Sequence, residues 1–560
     1  MTGPGRAPAV PRALVVALAV AACALLALAA WVLATRAEQR GGIATLRATH
    51  YWAGGYPKSF WDGLDPSRID ADYARIRAQG FNAVVLAVSW PEFQPRLTPA
   101  PAFDERAFRD LALLVGKAAD HGLRVVLRVG FIWSFRPDAE MPNAVRVDAA
   151  FHDAAVHHAW LAFVEEVCRR VCSAPNFRLA FLSWEDLHPF NLLGAEPSRD
   201  DPGLRSVYAG WLRERHDLAA VAARYGRAFA TWDEVPLPER RSPAYEYVLA
   251  WWDDMLAERF FLPARARFPG LSFEERVDWD PVWTQGERAE WHRHPSVTGR
   301  AGAEVATLYY AVAWGMPNAG DVTDARSALS RFARLLELTA AQNPRDGLFV
   351  DQFNFFDNTP EFSTNTRLAE EEYDAMLAGA AEVLARHGAG YALWLDEDYA
   401  ANILYNPGFQ RGLAGWEARG AASVAAEPDG AAVLRLAAGA GVAQAIVATG
   451  RETGFERGST GTLCMVGRAL ASATAGVRAN GLPAPVALEF GAVAERRCAA
   501  APLAPEFRLE IVAQDGVELD RIELYHHVQH SRIRTLEGKP GPQAAALREL
   551  NRALAKLAGP

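Results

Sequence analysis

The stretch Gly80-Phe81-Asn82-Ala83-Val84-Val85-Leu86-Ala87-Val88-Ser89-Trp90-Pro91-Glu92-Phe93-Gln94-Pro95 carries one repeat of the architecture. Its middle, Ala83 to Val88, is apolar at every position, as expected of a strand in a parallel sheet covered on both faces. Gly80 stands where a preceding helix closes, and Ser89-Trp90-Pro91-Glu92 ends the run with polar and aromatic groups. Amphipathic segments flank it, Ser67–Gln79 before and Glu105–His121 after. The local order is therefore helix, strand, helix.

The same alternation recurs in both directions. Strand-like runs are read at Thr45–Tyr51, Ala83–Trp90, Arg124–Gly130, Leu179–Trp184, Leu271–Glu275, Val305–Tyr310, Leu348–Phe353 and Tyr391–Leu395, with helical patterns such as Ala154–Arg170, Asp324–Ala341 and Leu368–His387 between them. Eight β/α repeats predict a (β/α)8 TIM barrel over 41–403. An open doubly wound sheet would also alternate, but no Gly-rich phosphate loop follows the first run. Asn191–Gly270 is too long for a plain crossover and predicts a helical insertion. From Leu404 onward, short Ala/Gly/Val-rich runs and many turns predict a jelly-roll-like β-sandwich over 404–535. A helix, Pro542–Leu557, follows within 536–560.

The net charge of −9, with no Lys/Arg block, excludes a nucleic-acid partner. From Ala13 to Ala34 the only residue that is not plainly apolar is Cys23. That run makes about 33 Å of helix at ~1.5 Å per residue, enough to span a membrane, so 1–40 is expected to be a short cytoplasmic stub with a transmembrane signal-anchor. The rest is then extracytoplasmic, periplasmic or at the cell surface. Val20-Ala21-Ala22-Cys23 also resembles a lipobox, which would make the anchor a lipid instead. Of the five cysteines none has zinc spacing, and no metal or cofactor is expected. Cys168 and Cys172 lie four apart on a helix, and Cys464 and Cys498, both in the β-rich part, are either one disulfide or two buried thiols.

Active sites of such barrels lie where the strands end. Those ends read His50-Tyr51-Trp52, Ser89-Trp90-Pro91-Glu92, Arg128 then Phe131-Ile132-Trp133, Ser183-Trp184-Glu185-Asp186, Tyr309-Tyr310, Asp351-Gln352-Phe353-Asn354 and Trp394-Leu395-Asp396-Glu397-Asp398. Carboxylates and aromatic rings converge on one rim, a mixture suited to sugars, whose C–H faces stack on rings while their hydroxyls need polar partners. Cleaving a glycosidic bond takes one carboxylic acid and a second carboxylate. Glu185 is the candidate acid/base, with the Trp184 ring beside it to desolvate it, and Asp351 is the candidate partner. Asp396, Glu397, Asp398, Glu274 and Glu275 are held in reserve.

The strand-two stretch and His121-Gly122-Leu123-Arg124-Val125-Val126-Leu127-Arg128-Val129-Gly130 resemble the second- and third-strand signatures of clan A glycoside hydrolases. Trp211-Leu212-Arg213-Glu214-Arg215, Tyr225-Gly226 and Ala228-Phe229-Ala230-Thr231-Trp232-Asp233-Glu234-Val235 are similar to the segment after the acid/base in β-galactosidases of glycoside hydrolase family 42. The resemblance covers roughly Thr45–Tyr399 and implies a retaining enzyme with Glu185 as acid/base, Asp351 as nucleophile and Trp394 as part of the sugar platform. Two positions depart from the clan: Trp184 stands where an Asn precedes the acid/base, and Asp351 where the nucleophile is Glu. Asn406-Pro407-Gly408-Phe409 and Gly412-Leu413-Ala414-Gly415-Trp416 resemble the start of carbohydrate-binding jelly-roll modules.

The expectation is a membrane-anchored glycoside hydrolase acting on an extracytoplasmic poly- or oligosaccharide. Trp90, Trp133, Trp184, Tyr310 and Trp394 are its expected sugar platforms, and His50, Asp186, Asn354 and Asp396 its hydroxyl partners. A non-catalytic polysaccharide-binding or assembly protein on the same barrel, and a transglycosidase, are the alternatives.

Overall fold

The computed structural model describes residues 42–557 apart from 132–135, 137–138, 142, 184, 188–201, 240–241, 277–280, 285–286, 292–293, 295, 297–304, 313, 315, 317–319, 344–346, 357–365, 428–430, 448–459, 472 and 505. The anchor expected over 13–34 therefore lies outside the described residues, as do Trp133 and Trp184. Among the described residues no helix is long and apolar enough to cross a membrane.

Eight parallel strands close into a barrel: β1 (Arg47–His50), β2 (Ala83–Ser89), β3 (Arg124–Phe131), β4 (Phe177–Ser183), β5 (Ser272–Glu275), β6 (Ala306–Ala311), β7 (Leu348–Asn354) and β8 (Ala389–Leu393). The ring closes because β1 pairs with both β2 and β8. Each lies within two residues of its sequence-read ends, since uninterrupted apolar runs suit strands buried on both faces. Around them pack α1 (Ile69–Ala78), α2 (Glu105–Asp120), α3 (Ala154–Val171), α4 (Ala325–Gln342) and α5 (Tyr373–Arg386). Asp104, Asp153 and Asp324 cap α2, α3 and α4 by accepting first-turn backbone N–H groups. The helices Pro202–Arg215, Leu218–Tyr225 and Tyr245–Met255 lie in the insertion between β4 and β5.

The second body is a sandwich of two antiparallel sheets. Leu434, Leu463, Leu519 and Ile522 from one sheet and Val442, Val477, Phe490 and Ile511 from the other share one apolar core. Its strand Tyr399–Asn402 pairs with the long strand Val517–Gln529, so the sandwich sheet begins just after the barrel's last strand. Cys464 and Cys498 face each other across Thr460–Ala469 and Glu495–Pro502 and are disulfide-bonded. Cys168 and Cys172, read from sequence only as two cysteines on a helix, form a second disulfide. Closing a loop 34 residues apart, the Cys464–Cys498 bridge should contribute about 3–4 kcal/mol through the unfolded chain. The Cys464→Ala/Cys498→Ala variant is expected to lose that much in denaturant unfolding.

The Asn406 motif joins the two bodies. Its side chain donates to Gly412 O and Ala414 O and accepts from Arg411 N, its backbone N–H donates to the Asp62 carboxylate, and Trp416 donates to Asn406 O. Arg411, nearly buried, then pairs with Glu92 and Asp104 of the barrel. The described contacts of this motif serve the joint.

The last helix, α6 (Ala544–Leu557), packs on the barrel, with Leu547, Leu550 and Leu554 in the barrel's apolar core. Asn551 accepts from Tyr391 and donates to Gln79 O. Gly80 has φ +88°, and a Cβ there would meet Asn551 Cβ at 2.9 Å, so glycine both closes α1 and makes room for α6.

Candidate active site

The centre of the barrel mouth is Arg128, a wholly buried guanidinium placed by β3 in the middle of an apolar run. Nε donates to Asp186 Oδ2 at 3.1 Å, and Nη2 donates to Ser183 Oγ at 3.0 Å and to Glu185 Oε2 at 2.8 Å. Nη1 is buried with no hydrogen-bond partner among the described residues. Its partners come from the end of β4 and the short 3₁₀ turn Glu185–Leu187. Arg276, just past β5, brings a second guanidinium to Glu185 Oε2 at 2.7 Å while lying over the Tyr309 ring at 4.0 Å. Glu185 is thus about one-third exposed and held by two cations. Asp186 is buried, and burial raises its carboxyl to about 7 despite the adjacent Arg128.

Across the mouth stands Asp351, with no exposed surface. The register of β7 shifts between Val350 and Gln352 toward β6 and between Val350 and Phe353 toward β8, so Asp351 sits in a β-bulge, a device that re-aims a side chain. Burial raises its carboxyl to about 7, with Arg128 acting against the shift. His50 Nε2 lies 3.2 Å from both the backbone O and Oδ1 of Asp351. Contact with a carbonyl makes Nε2 the protonated nitrogen, and burial lowers His50 to about 3, so the ring is neutral. Glu274, at the end of β5 and wholly buried, accepts from the Ser183 hydroxyl and is raised to about 8, by burial first and by Asp351 second. Strands β1, β3, β4, β5 and β7 therefore bring His50, Arg128, Glu185, Asp186, Glu274 and Asp351 into one network.

The aromatic expectations divide. Trp394, partly exposed at the end of β8, lies 5.2 Å from the His50 ring and 6.2 Å from Trp52, which also stacks on His50 at 6.0 Å and packs on Phe131. Trp90 is a wall residue and not a platform: the chain turns helical at Trp90 itself, and the buried ring donates to Gln94 and lies under Arg146. Tyr310 is also core, stacked on Phe353 and tilted against Phe332, with its hydroxyl donating to Ala328 O. Strand alternation puts Tyr309 beside Arg276 instead, one residue from the expected position. Asn354 accepts from Phe356 N and so caps its own turn. Asp396 is buried beside Thr49 and Arg534, lining a small cleft with Tyr51, Trp52, Asp72, Arg75 and Glu397, and burial raises it to about 6. Arg128, Arg276, Tyr309 and Trp52 complete the site beyond the catalytic and sugar-binding candidates chosen from sequence, and Glu274, held in reserve there, joins them. An arginine inside an otherwise apolar strand was the readable signal for Arg128. Among the described residues no group of three His, Cys, Asp or Glu is placed to hold a metal ion.

No protein-family model matches the chain, and no curated protein does. Solved structures similar to it include a GH5_18 protein from Streptomyces cattleya in complex with GlcNAc, at 17% identity over 63% of this chain and 71% of that one, TM-score 0.38. Another is Gan42B, a GH42 β-galactosidase from G. stearothermophilus, at 13% identity over 63% and 51%, TM-score 0.43. A third is the exo-β-1,4-mannosidase Op5Man5 from Opitutaceae bacterium strain TAV5, at 15% identity over 63% and 52%, TM-score 0.37. At such identities and scores the chemistry has to be argued from this chain's own side chains.

Proposed function

We propose that this chain is a retaining glycoside hydrolase whose Asp351 attacks the anomeric carbon while Glu185 protonates the leaving oxygen and then, as base, activates the water that frees the sugar. The observation that carries the reading is the pair of carboxyl groups brought to one mouth by the turn after β4 and by β7, beside the partly exposed Trp394 and the neutral His50. In the free site Glu185 is held by Arg128 and Arg276, so the acid step needs a sugar to displace water and loosen that grip. The same two contacts favour, as a second reading, a groove that binds polysaccharide without cleaving it. A hydrolysis screen on polysaccharides and aryl glycosides separates the two: turnover supports the enzyme, and saturable sugar binding with no product supports the binder.

Asp351 must be ionised to attack, and its carboxyl lies near 7. On an activated aryl glycoside, where no acid help is needed, kcat/KM should therefore rise with pH through about 7. A flat profile from pH 5 to 8 would remove Asp351 from the nucleophile's role.

The apolar run Ala13–Ala34 and the two disulfides support a membrane-anchored protein whose barrel faces an oxidising compartment outside the cytoplasm. Protease added to cells whose outer envelope has been opened, with the inner membrane sealed, should cleave the part from Gly41 onward, and protection of that part would refute the location.

A further inference from the structure

The helical insertion between β4 and β5 has no task in the mechanism above, yet two adjacent residues of its helix Tyr245–Met255 reach both sides of the acid/base. Trp252, buried, donates from its indole Nε1 to Leu187 O at 2.8 Å, and Leu187 ends the 3₁₀ turn that carries Glu185. Asp253, with no exposed surface, holds His294 Nδ1 at 3.0 and 3.2 Å from its two carboxyl oxygens. The other ring nitrogen of His294, Nε2, lies 2.8 Å from Arg276 O. A carbonyl oxygen only accepts, so Nε2 carries a hydrogen and donates it. Arg276 in turn brings its guanidinium to Glu185 Oε2 at 2.7 Å. His294 is wholly buried and takes φ +44°, a left-handed conformation uncommon outside glycine, which the contacts on both ring nitrogens hold in place. Asp254, next along the helix, accepts from Trp211 Nε1 and the Ser296 hydroxyl and pairs with Arg215, tying the helix to the rest of the insertion and to the chain beside His294.

We propose that Trp252, Asp253 and His294 are positioning residues for the acid/base: the Asp253–His294–Arg276 strap and the Trp252–Leu187 bond fix, from one helix, where the Glu185 carboxyl group stands. The inference rests on the glycosidase reading. The barrel alone does not place this pair of side chains. Strand β4 ends at Ser183, two residues before Glu185, and β5 ends at Glu275, one residue before Arg276, so both residues lie past the ladder that sets the register. Each limb of the device ends on a backbone oxygen, Leu187 O or Arg276 O, and so holds the chain itself. Glu185 and Arg276 then start from fixed backbone positions, and their contact follows from them. A general acid works only within hydrogen-bond reach of the leaving oxygen, so a shift of either backbone segment is felt directly in proton transfer.

The test compares the full chain with Asp253→Leu/His294→Leu, which removes both partners of the buried pair together, and with Trp252→Phe, which deletes the indole donor. The probes are a phenyl glycoside, whose leaving group needs a proton, and the 2,4-dinitrophenyl glycoside of the same sugar, whose leaving group does not. In the double variant kcat/KM on the phenyl glycoside should fall about 100-fold, the scale of a ~1 Å misplacement. On the dinitrophenyl glycoside it should fall less than about threefold, because no proton is given in that step. Trp252→Phe should show the same split, and it carries the test if the double variant does not fold. A merely structural role would lower both substrates together. Equal losses on the two substrates in a folded variant, or an unchanged or faster rate on the phenyl glycoside, would overturn the proposal. If the wild-type chain hydrolyses no glycoside, the glycosidase reading fails by itself, and a crystal structure of the double variant decides the strap. Loss of the Arg276–Glu185 contact supports it, and the contact kept at 2.7 Å overturns it.

Discussion

Asp351→Asn and Glu185→Gln should each abolish most turnover while responding differently to the leaving group. Glu185→Gln removes a proton donor, worth roughly 10²–10⁴-fold on substrates with poor leaving groups, and should recover most of its kcat/KM on a dinitrophenyl glycoside while kcat stays low, because the water step still lacks its base. Asp351→Asn removes the attacking atom, so its loss should be at least as large and no leaving group should restore it. Stability separates chemistry from misfolding. Asp351 is a desolvated carboxyl raised to about 7, so its ionisation weakens the fold at neutral pH and above, and Asn should melt no lower than wild type at pH 8. Glu185 is about one-third exposed, and losing its two ion pairs should cost little. Equal rates for Glu185→Gln and wild type on an unactivated glycoside would sink its acid role.

Arg128→Met should carry the largest stability cost. The guanidinium is wholly buried and contacts Asp186, Glu185 and Ser183. Met fills much of its volume but leaves buried carboxylates without their cation, a loss of about 3–5 kcal/mol. The cost should be greatest near pH 8 and smaller near pH 5, where Asp186 and Asp351, both raised to about 7, take up protons and no longer need the cation. Urea unfolding at the two pH values measures this, and a loss under about 1 kcal/mol at pH 8 would mean that Arg128 does not neutralise the site.

What the chain reveals about itself follows from which forces are local. Strand positions were legible because Ala83–Val88 is apolar throughout and the other seven runs hold apolar stretches between helical patterns, and strand ends were legible because polarity gathers there. Which side chain at an end faces the axis was less so. Tyr309 and Tyr310 differ by one residue and by 180° in direction, and Trp90 left the rim because its helix starts at once. Glu274 and Glu275 pose the same choice; pairing with Ser183 settles it for Glu274. The bulge that aims Asp351 depends on how both neighbouring strands pair, and no local pattern in Leu348–Asn354 announces it. The Asn406 motif looks like the opening of a sugar-binding module, but its hydrogen bonds are to the chain itself and to Asp62.

Retaining hydrolysis by this barrel requires Asp351 to be the nucleophile. Incubating the protein with an activated 2-deoxy-2-fluoro glycoside of the sugar it hydrolyses, followed by peptide mass mapping, reads it in one step. A single glycosyl adduct on the peptide containing Asp351 is the predicted result. An adduct on Glu185 or Glu274, or turnover with inverted product and no adduct, would contradict it.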